Sequence, residues 1–270
     1  MLLAVDHTTH YVFSGPVSHG LQRLRLAPKS TAGQRVVEWS MQFEGARLQA
    51  EYDDANNNRV SLISFDPGVS QVTIRCEGLV DTNDEAGIIG KHAGFMPMWQ
   101  FLEQTDLTRA GARTRALLAA LPHEDSTLVK LHALSALVRE RVEYASGHTD
   151  VDTTAEGALA AGRGVCQDHA HIFIGAARAL GIPARYACGY LMMDDRVEQD
   201  AGHAWAEAHV ESLGWVGFDV SNGISPDARY IRVATGRDYR DAAPVTGIRY
   251  GAMDEAMHVR LAVQQQRVEQ

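Results

Sequence analysis

The stretch from Gly162 to Pro183 constrains the fold of this chain more than any other. It reads Gly162-Arg-Gly-Val-Cys166-Gln-Asp-His-Ala-His-Ile-Phe-Ile-Gly-Ala-Ala-Arg-Ala-Leu180-Gly181-Ile-Pro183. Glycines give way to good helix formers, and Gly181 followed by Pro183 is a stop signal, so a helix should open at Cys166 rather than contain it. There, unpaired backbone N–H groups and the positive end of the helix dipole favour thiolate over thiol. The same N–H groups can stabilise an oxyanion that forms on an acyl carbon attacked by this sulfur.

Two short alternating runs follow, His203-Ala-Trp-Ala-Glu-Ala-His-Val210 and Trp215-Val-Gly-Phe-Asp219-Val220, joined by Glu211-Ser-Leu-Gly214. They read as a β-hairpin. Ala204, Ala206, Ala208 and Val210 form the apolar face of the first strand; Val216, Phe218 and Val220 form that of the second. If these faces share one side of a sheet, His203 and Asp219 share the other. Pairing Val210 with Gly214 sets Asp219 opposite Trp205, diagonal to His203, a gap of roughly 7–8 Å at the backbone that the two side chains can cross. Cys166, His203 and Asp219 thus have the types and local settings of a thiol nucleophile, its base and the group that orients the base.

Gly-Val-Cys166-Gln-Asp with its Ala/Ile-rich helix, Gly-Ile-Pro-Ala-Arg-Tyr, His203-Ala-Trp and Gly-Trp-Val-Gly-Phe-Asp219 resemble the bacterial transglutaminase-like superfamily, a papain-related thiol fold. Tyr144, the segment Gly147–Glu156 and Tyr230–Tyr239 extend the resemblance, and the N-terminal portion is similar to the β-rich domain that precedes the catalytic domain in bacterial members. Two positions depart from the family pattern. His169 stands where an aromatic such as Phe is usual, and Val220-Ser221 replaces the common Pro-Thr, changes expected to bear on substrate fit. The resemblance implies a Cys166–His203–Asp219 triad acting on amide bonds of a peptide or protein, with no cofactor. Hydrolysis is the preferred outcome, because an acyl-enzyme meets abundant water unless a site excludes it. A true transglutaminase, with an amine as acceptor, and a catalytically idle peptide- or partner-binding module remain alternatives.

Competing motifs are weak. Cys166-x-x-His169-x-His171 has metal-ligand residue types, but on a helix the two histidines lie about 200° apart at about 100° per residue and cannot converge on one ion with Cys166. Cys76 and Cys188 read as core or half-buried positions, and no Cys-x-x-Cys pair, phosphate-binding loop, dinucleotide fingerprint, His-Glu-x-x-His or Gly-x-Ser-x-Gly occurs. Trp205 and Tyr144 are candidates for cleft walls or core. A net charge of −9 argues against nucleic acid or an anionic membrane as partner. Three cysteines fit a reducing compartment, and the cytoplasm is the expected location.

The expected fold class is α+β. Residues 1–82 alternate as strands: Val37, Trp39, Met41 and Phe43; Leu48, Ala50 and Tyr52; Val60–Phe65; Val72, Ile74 and Cys76. This is an antiparallel β domain with no reactive cluster, suited to shielding or presenting substrate. Residues 83–125 are expected to form a linker and helical connection, 126–260 the catalytic domain, and 261–270 a loose tail. Helices are predicted over Leu107–Leu121 and from Asp125 or Ser126 onward, with Thr153-x-x-Glu156 as a capping box for a short helix ending at Gly162.

Overall fold

A computed structural model describes residues 1–199, 201–251 and 254–266. The chain is an α+β protein. It begins with β1 (Leu2–Val17), β2 (His19–Ala27), β3 (Gln34–Glu44), β4 (Ala46–Asp53), β5 (Arg59–Phe65), β6 (Val69–Thr82) and the short β7 (Ile88–Gly90). Next come α1 (Ala112–Ala119), α2 (Thr127–Arg141), β8 (Glu143–Tyr144), α3 (Ala155–Ala161), β9 (Arg163–Gly164) and α4 (Cys166–Ala179). Strands β10 (Ala184–Leu191), β11 (Glu198–Gln199), β12 (His203–Val210), β13 (Gly214–Phe218) and β14 (Tyr230–Gly236) follow. The one-turn α5 (Tyr239–Ala242), β15 (Val245–Tyr250) and β16 (Glu255–Gln265) complete the order.

Two antiparallel sheets, ordered β15-β2-β5-β4 and β11-β16-β1-β6-β3, enclose a core of Tyr11, Phe13, Leu24, Ile63, Val72, Ile74 and Cys76. Their last strands arrive from the far end of the chain. Residues 261–266 are therefore not a loose tail: β16 pairs with β1 along its length, and Leu261 and Val263 are fully buried. Residues 267–270 lie outside the described residues. The run from Glu255 to Gln265 has only a few large apolar side chains, and its burial depends on a partner some 250 positions away in sequence, so local pattern does not mark it as a strand.

The alternation in β3 and β4 also reads differently in place. A bulge between Val36 and Glu38 turns Val37 outward while Trp39, Met41 and Phe43 still face the core. Strand β4 is a sheet edge from which Leu48 and Tyr52 point to solvent.

The third sheet, β14-β10-β12-β13-β7, carries α4 on one face. Alanines 204, 206 and 208 of β12 present little bulk, so Ala170, Phe173, Ile174 and Ala177 of α4 can settle close to the sheet in one core. That core also takes in Leu3, Val5, Val80, Leu261 and Val263 of the β domain. The segment expected to be a linker also adds a strand, β7, to this sheet.

Two helix starts differ instructively from expectation. Helix α1 begins at Ala112, not Leu107, behind Gly111, which has no capping side chain. Its free N–H groups are met by Glu156 of α3, whose carboxylate accepts from Gly111, Arg113 and Thr114 backbone nitrogens at 2.8–3.0 Å. Glu156 thus caps a neighbouring helix rather than closing a box on its own, and Thr154, not Thr153, is the N-cap of α3. Helix α3 ends at Gly162, whose φ of 66° suits glycine.

Candidate active site

Helix α4 opens at Cys166, and the carboxylate of Asp168 fixes its entry. Asp168 Oδ2 accepts from the Val165 backbone N–H at 2.8 Å and from Thr149 Oγ1 at 2.7 Å. Gly164 makes this possible, since a Cβ there would lie 2.7 Å from the same oxygen. Cys166 is partly exposed, whereas Cys76 and Cys188 are buried, and burial pushes both of their thiols up to about 12.

Strands β12 and β13 pair with Val210 opposite Gly214 and Ala206 opposite Phe218, and the chain then turns sharply after Asp219. His203 Nε2 lies 2.6 Å from Asp219 Oδ2, with the ring 8% exposed and the carboxylate fully buried. With Nε2 taken by Asp219, the other ring nitrogen is left for the thiol. Burial works against a charged ring, but hydrogen bonds to Asp219 and Cys166, together with the charges of both, outweigh it and raise the His203 pKa. Burial likewise opposes ionisation of Asp219, and hydrogen bonds from His203, Tyr230 and Asn222 overcome it and hold the carboxyl below its ordinary range.

Those last two donors had no assigned part in the sequence reading. Tyr230 Oη donates to Asp219 Oδ2 at 2.7 Å; Asn222 donates through Nδ2 at 2.7 Å and through its backbone N–H to Oδ1 at 3.2 Å. Asn222-Gly223, three residues after the carboxylate, carried a turn signal that would have found Asn222. Tyr230 comes from β14 and left no local trace.

The two departures from the family pattern meet each other. His169 donates from Nε2 to the Val142 carbonyl at 2.8 Å and accepts at Nδ1 from Ser221 Oγ at 2.9 Å. Burial lowers its pKa, so the neutral ring ties the end of α2 to the turn behind Asp219. It is buried and bears on that turn rather than on a substrate surface. His171 points elsewhere, accepting the Tyr239 backbone N–H at 3.2 Å, with its pKa driven down to about 3 by burial. Trp205 is core, packed against Tyr230 and beside the His203 ring, while Tyr144 remains half exposed. Among the described residues no cluster of three or more His, Cys, Asp or Glu has metal-binding geometry, and no helix is long and apolar enough to cross a membrane.

Residues 115–220 match the Transglutaminase-like superfamily and residues 3–81 the Bacterial transglutaminase-like N-terminal region. The uncharacterized protein Rv2569c of Mycobacterium tuberculosis is 30% identical over 273 residues, covering 91% of this chain and 87% of that protein. The chain belongs to the bacterial transglutaminase-like superfamily. The uncharacterized protein ML0607 of Mycobacterium leprae is 27% identical over 277 residues, 92% of this chain and 93% of its own length. A solved "Putative Cysteine Protease" from Cytophaga hutchinsonii superposes with a TM-score of 0.78 at 22% identity, over 100% of this chain and 92% of that one. It shares the fold. The transglutaminase-like, papain-related architecture is one on which thiol-dependent chemistry at amide bonds is carried out.

Proposed function

We propose that this transglutaminase-like protein is a cysteine-dependent hydrolase of amide bonds in peptides or proteins, with Cys166 as nucleophile, His203 as base and acid, and Asp219 as the orienting carboxylate. The observation that carries the reading is the buried 2.6 Å contact between His203 and Asp219, with the opposite edge of the ring turned to a thiol at the first position of a helix. The Cys166 thiolate attacks the carbonyl carbon, and the charge that develops on oxygen falls near the N-terminus of α4, where the Cys166 N–H can receive it. His203 then gives its proton to the departing amine as the C–N bond breaks, leaving a thioester. Water resolves the thioester, losing a proton to His203 as it attacks and releasing the thiol and a carboxylic acid. Asp219, held by Tyr230 and Asn222, keeps the imidazole in one orientation and favours its charged form. Water is favoured over an amine as acceptor because Cys166 is partly exposed to solvent. The three unpaired thiols fit a reducing compartment, and the cytoplasm is the proposed location.

The test is intact-mass detection of acyl or electrophile adducts after exposure to peptide libraries, with peptide mapping of the modified thiol. Adducts on Cys166 well ahead of Cys76 and Cys188 at neutral pH are expected. Asp219→Asn should keep the fold but lower turnover on a confirmed substrate by orders of magnitude, as the roughly 10⁴-fold loss for the analogous change in a serine protease triad suggests. Equal labelling of all three thiols in the folded protein would sink the reading.

A further inference from the structure

A cavity of about 350 Å³ opens beside Cys166 and His203 and runs between the catalytic sheet and the β domain. Its walls are largely apolar, with Tyr186 and Val233 on one side and Leu26, Met257 and Val259 on the other. Among the described residues that line it, Arg25 of β2 is the one Arg or Lys side chain. His7 is kept neutral by burial, with a pKa of about 4, and its two ring nitrogens are taken by Tyr190 Oη and Thr9 Oγ1. The Cys188 thiol is held protonated.

Arg25 is 6% exposed. Its Nε donates to Asp54 Oδ2 at 3.0 Å, which pins the guanidinium from behind, while Nη1 is buried and meets no acceptor among the described residues. Asp54 is itself fixed by the backbone N–H groups of Asn56 and Asn58 and by Asn58 Nδ2. A guanidinium braced through Nε and unmet at Nη1, in a largely apolar wall, can take a further oxygen acceptor, and its planar fork matches a carboxylate. A single cation already sharing one carboxylate suits one further negative charge, which favours a carboxylate over a phosphate dianion.

We propose that Arg25 determines specificity by receiving a carboxylate carried at the end of an apolar arm of the substrate whose amide is attacked at Cys166. This rests on the thiol reading of the site. The substrates are then amides or peptides bearing an acidic group separated from the reacting carbonyl by an aliphatic or aromatic spacer. The β domain supplies the residue that selects them.

The experiment uses N-chloroacetyl derivatives of β-alanine, γ-aminobutyrate and ε-aminocaproate, each against its neutral methyl amide. The thiolate displaces chloride and forms a thioether, read by intact mass on the full chain. For at least one spacer length the acid should alkylate Cys166 at least about tenfold faster than the amide. Arg25→Gln should bring that ratio to about one and Arg25→Lys should retain part of it; the ratio cancels any change in the thiol itself. Hexanoate should also protect wild-type Cys166 from iodoacetamide more than hexanamide does, a readout that needs no variant. Equal acid and amide rates at every length, equal protection by the two hexanoyl compounds, or a ratio that survives Arg25→Gln would overturn the proposal. Failure of the thiol reading looks different: iodoacetamide would then label Cys166 no faster than Cys76 and Cys188.

Discussion

His203 can hold a charge in a buried position only because both sides of its ring are answered, by Asp219 on one and Cys166 on the other. A folded-state pKa raised above the ordinary value near 6.5 means the folded protein binds this proton more tightly than the unfolded chain. The stability it contributes is complete below about pH 6.5 and fades as pH climbs toward the raised value. Asp219, with its pKa lowered, behaves oppositely, contributing above the ordinary carboxylate range and losing that contribution as acid protonates it. The difference in unfolding free energy between wild type and His203→Gln should therefore narrow between about pH 6 and about pH 10 in urea titrations. A gap that widens over that range would mean that the folded ring is neutral. Cys166, His203 and Asp219 were legible in the sequence because each sits in a local pattern, a helix start or a strand of fixed parity. Tyr230 and the bond between His169 and Ser221 were not, because they depend on which strands and loops meet.

Among the elements, the face of β12 opposite α4 shows what alternation cannot foresee. His203, Trp205, Glu207 and His209 share the more polar face of the strand, yet all but His209 are buried. Glu207 is fully buried between two arginines, accepting from Arg185 Nε and Arg232 Nε at 2.6 Å each. Burial alone would raise its pKa, but the two guanidiniums bring it down to about 2. Arg185 in turn lies over the Trp215 ring at 3.9 Å, and Phe101 packs edge-on against that ring. A period of two says that these residues share a face; it does not say that residues from before α1 cover it. Glu207→Gln keeps the shape and removes the carboxylate that the two guanidiniums share, so a loss of about 3–5 kcal/mol in urea unfolding at neutral pH is expected. A loss below about 1 kcal/mol would mean that the arginines find other partners or water.

At the scale of the whole molecule, the transglutaminase-like unit is inserted between β6 and β15 of the β domain, and its strand β14 would present a free sheet edge to that domain. Two side-chain amides close that edge. Gln34 donates to the Arg232 carbonyl and accepts from its N–H, both at 2.8 Å, and Asn58 does the same for Thr235 at 2.7 and 2.8 Å. Each amide imitates a strand's pair of backbone bonds, which is why the junction needs glutamine and asparagine rather than apolar residues. The Asn-rich run before Arg59 carries a turn signal in its residues, but nothing local to it announces the reach to a strand 177 positions away. Asn58→Ala leaves a buried N–H and a buried carbonyl of Thr235 without partners and removes a donor to Asp54. At roughly 1–3 kcal/mol for each of the two orphaned groups, the expected loss is about 2–6 kcal/mol, with markedly faster hydrogen exchange at the Thr235 amide. Because one core joins Leu3, Val5, Val80, Leu261 and Val263 to α4 and its sheet, the variant should still unfold in a single transition. Two separated urea transitions, one reported by the β domain and one by Cys166 accessibility, would instead show that the amide clamps, and not the shared core, hold the halves together.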